Sequence, residues 1–142
     1  MSGQQTEKIT LGQTIAAELR HEAAATRKML ERFPAERADW SPHEKSMKMA
    51  ALASHIADVP SWIRPTVTLD ELDFGKSDFK TPEFASAAEL VAHFDKNLAD
   101  ALPILEAAAD ADLMKTWRLR SGEKVFFEMP RIQVLRGMVM NH

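Results

Sequence analysis

The sequence predicts an all-α fold, a four-helix bundle formed by one domain over residues 1–142, and three observations support it. Four segments repeat apolar residues at steps of three and four, the spacing of one helix face. Two of these segments begin with capping boxes, Thr10 with Gln13 and Ser86 with Glu89. The connection between the second and third segments, residues 64–84, is long, so we expect a crossover topology.

The first helix is expected to follow Thr10 and to end at Pro34. The second is expected to begin after Ser46, acting as N-cap, and to reach Trp62 or Ile63, with Pro60 kinking or shortening it. Their predicted inward faces are Leu11, Ile15, Leu19, Ala23, Thr26, Leu30 and Phe33 in the first helix, and Met49, Leu52, Ala53, Ile56, Val59 and Ile63 in the second.

The third helix is expected to begin after Ser86, and Pro103 is expected to bend it or end it early. Residues 113–130 then carry β-forming side chains on both sides of Ser121-Gly122, which predicts a short hairpin or extended flap. Pro130 suits the first turn of a fourth helix. The predicted face of that helix is Ile132, Leu135, Val139 and His142.

Composition limits the class of protein. The chain has no cysteine, so it can form no disulfide and has no thiolate ligand or nucleophile of its own. The N-terminus is polar and no run approaches the length of a membrane span, which predicts a cytoplasmic protein without a membrane partner. The net charge of −3 argues against nucleic acid as a partner.

Charge is unevenly distributed, because residues 113–142 carry 6 basic and 2 acidic side chains. One interpretation is an ordinary solvated surface. The other is a basic lip formed by Arg118, Arg120 and Lys124 that attracts an anionic small molecule.

His55 and His142 are the candidate metal ligands. His55 borders the apolar stripe of the second helix, and His142 continues that of the fourth. Ligands in a bundle core come from facing helices, and Asp58 could orient the His55 ring from the second shell or bind the metal itself. Alternatively, both histidines are hydrogen-bonded core residues. A catalytic zinc site normally has three protein ligands, and spacing alone supplies two.

The segments DWSPHEKSMKMAALASHIADVP and MPRIQVLRGMVMNH resemble the DinB-like (YfiT-type) family of metal-binding bundles, and the match follows the whole chain in order. The resemblance implies an up-down-down-up four-helix bundle that binds one divalent metal through three histidines. Two of these correspond to His55 and His142. The third would lie one turn beyond His142. No stop signal ends the fourth helix, so we expect the natural chain to continue.

The resemblance further implies a metal-dependent thiol S-transferase or hydrolase acting on a small molecule. Zinc or nickel is the expected metal, and an external low-molecular-weight thiol is a candidate co-substrate. One alternative is a non-catalytic, stress-related protein that binds a metal or a small molecule. Another is a dimerising bundle with no catalytic role. We also expect a homodimer, because a short last helix leaves part of the core uncovered.

Overall fold

The computed structural model describes residues 9–44, 47–73, 75 and 82–139, with the backbone alone for residues 138 and 139. None of the described helices is long and apolar enough to cross a membrane. The elements in chain order are α1 (Leu11–Glu31), α2 (Met49–Asp58), α3 (Ile63–Thr68), β1 (Glu71–Asp73), α4 (Ala87–Ala107), α5 (Asp110–Leu113), β2 (Thr116–Ser121), β3 (Lys124–Pro130) and α6 (Arg131–Val134). Two 3₁₀ turns, Ala35–Arg37 and Val59–Trp62, lie before and after α2, and a π-helical turn, Leu135–Val139, follows α6.

The fold is mixed α/β, so the prediction of an all-α, up-down-down-up four-helix bundle is wrong. A three-stranded sheet has the order β1-β2-β3, with β1 parallel to β2 and β2 antiparallel to β3. The predicted hairpin forms its β2–β3 part, and Gly122 takes the positive φ of 60° that the turn needs. The error lies in the connection 64–84, which contributes α3 and β1 instead of an irregular crossover.

Complementary charge explains why the short strand β1 pairs with β2. In the parallel register Glu71 lies beside Arg118, Leu72 beside Leu119, and Asp73 beside Arg120. The two leucines face the core, at 6% exposure each. An acidic-apolar-acidic segment thus meets a basic-apolar-basic one, and opposite charges on neighbouring strands favour this pairing.

The helices α1 and α4 form the centre of the molecule. The capping box at Thr10 is present, and Ser86 caps α4 through the backbone N–H of Glu89. Helix α4 continues through Pro103 to Ala107, so the proline does not end it. Most of the predicted face of α1 is buried, whereas Leu11 and Thr26 are only partly so. The helix packs with α4 in two apolar clusters that contain Ile15, Ala16, Leu19, Ala101 and Leu105 in one and Ala23, Leu30, Leu90 and Phe94 in the other.

Helix α2 buries a different face from the one that its large apolar residues predict, although Val59 and Ile63, which follow the helix, are buried as predicted. Its buried residues are the small Ala50, Ser54 and Ala57, spaced four and three apart on one side of the helix. Ser54 and Phe84 are hydrogen-bonded through the serine hydroxyl, which accepts from the Phe84 N–H at 2.7 Å. Leu52 is 48% exposed. The larger apolar side chains of α2 are therefore left facing an open groove. The predicted N-cap, Ser46, lies outside the described residues.

Arg131 joins the sheet end of the molecule to the helices. Its side chain is 5% exposed, and its guanidinium donates to the carbonyl oxygens of Thr66 at 2.8 Å, Leu69 at 2.6 Å and Asp112 at 3.2 Å. Arg131, the first residue of α6, thus satisfies backbone acceptors within and just after α3 and within α5.

The strand β3 lies at the edge of the sheet. A β-bulge interrupts its pairing with β2, because Leu119 faces Phe127 while Arg120 faces Val125, which leaves Phe126 as the extra residue. Within the described part of the chain, no strand pairs with the outer edge of β3.

Candidate functional site

An apolar groove lies between the last turns of α1 and the exposed face of α2, and we call it the α1–α2 groove. Its volume is about 600 Å³, within the range of small-molecule sites. Helices α1 and α2 both pack on α4, and the groove is the space left between them. The lining residues are Ala25, Lys28, Met29, Leu30, Arg32, Phe33, Pro34, Met49, Leu52, Ala53 and Ile56.

His55 lies at the end of this groove. The residue is exposed on α2, and it lines a second cavity together with Thr26 and four residues shared with the groove, Ala25, Met29, Leu52 and Ile56. The groove and the His55 cavity are therefore continuous. Sequence periodicity placed His55 at the border of an apolar stripe, and that stripe is the wall of the groove.

Glu83 brings a carboxylate near the imidazole. His55 and Glu83 line one small cavity of about 260 Å³ together with Met47, Ala51 and Pro82. The described residues contain no group of three His, Asp or Glu side chains able to hold a metal ion. His142, the second predicted ligand, lies outside the described residues. The described donors near His55 therefore make an incomplete metal site, although imidazole and carboxylate are both suitable ligands.

Asp58, predicted to support His55, is bonded to another histidine. Its carboxylate oxygen Oδ1 lies 2.8 Å from Nε2 of His93, and the two side chains are 14% and 19% exposed. The His93 ring also lies against Phe84, with 5.0 Å between ring centroids. His93 makes this contact because its position on α4 faces α2. The spacing of residues within either segment could not predict that Asp58 of α2 pairs with His93 of α4.

The predicted basic lip is largely neutralised by carboxylates. Glu71 binds Arg120 at 2.5 Å and Arg118 at 3.4 Å. Further ion pairs join Arg120 to Asp73 at 3.1 Å and Arg118 to Glu128 at 3.1 Å. The hydrogen bond from Arg120, followed by its charge and that of Arg118, lowers the pKa of Glu71 below its ordinary value.

Lys124, the third residue of the lip, lies over the ring of Phe126, with its Nζ 5.3 Å from the centroid. All three predicted binding residues thus lie on the hairpin β2–β3 and not among the lining residues of the groove. The acidic strand β1 is the element that the sequence interpretation missed, and the alternation Glu71-Leu72-Asp73 opposite Arg118-Leu119-Arg120 was a signal that could have revealed it.

Comparisons of the chain with protein-family models, with curated proteins and with solved structures found no match in any of the three. The assignment of function therefore depends on the residues themselves and on the resemblance described above.

Proposed function

We propose that this protein is a divalent-metal-dependent enzyme, a transferase or hydrolase, that holds a small molecule in the α1–α2 groove. The observation that supports the proposal is the position of His55, an exposed imidazole at the end of an apolar groove of about 600 Å³. A small-molecule site typically combines an apolar lining with few polar groups, and His55 supplies one such group where the groove ends.

His55 and His142 are the residues that would hold the metal. Glu83 offers a carboxylate in the small cavity of about 260 Å³ that it lines together with His55. A bound divalent metal lowers the pKa of a coordinated thiol or water, so it supplies a nucleophile at neutral pH. The chain has no cysteine, so a thiol co-substrate comes from outside. The groove side chains would bind the apolar part of the ligand.

Metal binding by the whole chain tests the proposal. We expect saturable binding of Zn²⁺ or Ni²⁺ in calorimetric titration, with affinity reduced by about tenfold or more in His55→Ala and in His142→Ala, since even outer partners of a metal ligand contribute about that much. His21→Ala is the matched control, because His21 is exposed on α1 and is not among the residues that line the groove or the His55 cavity. Equal affinity in the parent and in His55→Ala would contradict the assignment.

A non-catalytic binding protein is the second candidate, and the exposure of the groove favours it. Met29 and Leu52 in the groove wall are 50% and 48% exposed, so the site is open to water and to partners. Turnover of a model electrophile with added metal and thiol distinguishes the two. Turnover lost in His55→Ala supports the enzyme, and metal binding without turnover across several thiols supports the binding protein.

A further inference from the structure

The α1–α2 groove carries an uncompensated positive charge. Lys28 and Arg32 lie four residues apart on α1 and are the charged residues among its lining. Neither forms an ion pair within the described residues, whereas the neighbouring Arg27 is held by Glu31 at 3.3 Å and by Asp95 at 3.1 Å. Among the described residues, no acidic side chain lines the groove.

The end of a helix accounts for part of this arrangement. Cations near the C-terminus of a helix interact favourably with the negative end of the helix dipole. This interaction stabilises the charges of Lys28, in the last turn of α1, and of Arg32, its C-cap. The dipole does not account for two like charges beside an apolar surface. Like charges four residues apart disfavour the helix slightly, and a bound anion between them removes that repulsion.

We propose that the α1–α2 groove binds a small anionic amphiphile, an aliphatic chain ending in a carboxylate. The carboxylate binds Lys28 and Arg32, and the aliphatic chain lies along Met29, Leu52 and Ile56 toward His55. Thr26, in the His55 cavity, is six residues from Arg32, so the path along α1 is about 9 Å at the helical rise. An extended chain of moderate length covers that distance.

The size of the groove favours a small ligand over a macromolecule. Its volume of about 600 Å³ lies in the middle of the range for small-molecule sites. This inference rests on the proposed function only in taking the groove as the ligand site. Binding is therefore measured in the presence of a chelator, so that failure of the metal proposal and failure of this one are separate results.

The test is calorimetric titration of the whole chain with dodecanoate below its micellar concentration. We expect dodecanoate to bind, with affinity rising about twofold to fourfold per methylene from octanoate to dodecanoate, as burial of CH₂ groups predicts. Dodecyltrimethylammonium, with the same chain and opposite charge, should bind about tenfold more weakly or worse.

The double variant Lys28→Gln/Arg32→Gln should weaken dodecanoate by about tenfold and leave binding of the neutral dodecyl maltoside unchanged. Lys96→Gln, an exposed cation on α4 outside the groove, is the control and should change neither. Lys28, Arg32 and Lys96 are all exposed, and circular dichroism checks that the variants fold. Absence of dodecanoate binding, equal binding of the cationic amphiphile, or equal loss in Lys96→Gln would overturn the proposal.

Light scattering during the same titration distinguishes a groove that binds a small molecule from a groove that is covered by a second copy of the chain. A constant monomer mass with bound dodecanoate supports the proposal. A dimer that does not bind dodecanoate and dissociates in Leu52→Glu would overturn it, because the groove would then be covered by a second copy of the chain.

Discussion

Gly12 lies where α1 comes closest to α4. A Cβ atom built on Gly12 would overlap the carbonyl oxygen of Leu105, a backbone atom of α4 that cannot move away alone. The neighbouring Ala108 side chain is also within contact distance of that position, at 3.5 Å. The absence of a side chain at residue 12 therefore sets the separation of the two central helices.

We expect Gly12→Ala to reduce the free energy of unfolding by about 1–3 kcal/mol, as overpacking does in other cores. Gly137→Ala is the control, because a Cβ there meets no atom of the described residues within 4 Å, and the change should be neutral or slightly stabilising. Urea denaturation of the three proteins makes the comparison. Equal stability of Gly12→Ala and the parent would show that α4 shifts without cost.

Glu71 predicts a pH dependence of stability. Its hydrogen bond with Arg120, together with the charges of Arg120 and Arg118, lowers its pKa in the folded protein. The stability that Glu71 contributes is therefore fully present above its unfolded pKa of about 4.3 and is lost as the pH falls through the lower, folded pKa. The carboxylate also holds β1 beside β2.

We expect Glu71→Gln to be less stable than the parent at pH 7. The difference should shrink as the pH falls below the unfolded pKa of about 4.3 and through the lower, folded pKa, where the parent carboxylate becomes protonated. Glu123→Gln, in the exposed turn of the hairpin, should show no such trend. The measurement is urea denaturation at pH 7, 4.5 and 3. A difference that is constant with pH would mean that the ion pair contributes nothing.

The secondary-structure elements that the sequence predicted correctly are those that depend on local signals. The capping residues Thr10 and Ser86 lie where they were expected, and the hairpin turns at Gly122 as its sequence indicates. The strand β1 was missed because three residues carry no period of their own, and its pairing with β2 depends on residues about 47 positions away. Local pattern does not encode such a partner.

Helix α2 shows why the candidate site was predicted only in part. Its apolar period identified a helix, which is confirmed. The same period placed His55 beside an apolar stripe, and the structure has that stripe lining the groove. Periodicity assumes that the largest apolar residues face the core, whereas close packing on α4 selected Ala50 and Ala57. The groove exists because of that choice. Nor could spacing show that Asp58 pairs with His93 of α4, since the two are 35 residues apart.

At the scale of the whole molecule, Arg131 connects the sheet to the helices. Removing its guanidinium leaves the buried carbonyl oxygen of Thr66 and the partly buried one of Leu69 without their donor. We expect Arg131→Leu to lower the free energy of unfolding by roughly 3 kcal/mol, because unsatisfied buried acceptors are costly. Arg131→Lys should recover little of it, because an ammonium cannot reach acceptors in three directions as the fork does.

Arg136→Leu is the matched control, a nearby arginine that pairs with Glu18 at 3.2 Å on the surface. That change should cost less than about 1 kcal/mol, the usual worth of an exposed ion pair. Thermal or chemical denaturation measures all three variants. If Arg131→Leu were no more destabilised than Arg136→Leu, the two parts of the molecule would be joined by apolar packing alone.

The predicted homodimer and the predicted continuation of the fourth helix stay predictions.

The bulge at Phe126 has a consequence for colloidal behaviour. The segment from Lys124 to Glu128, K-V-F-F-E, is apolar between opposite charges and contains no proline, a composition typical of chains that stack into cross-β fibrils. In the folded protein this segment lies on an edge strand. The backbone groups along a regular edge strand could pair with a strand of another molecule. The extra residue breaks the alternation of that edge and increases its twist, which makes it a poor template. The irregularity of β3 thus protects the folded molecule from self-association through this segment.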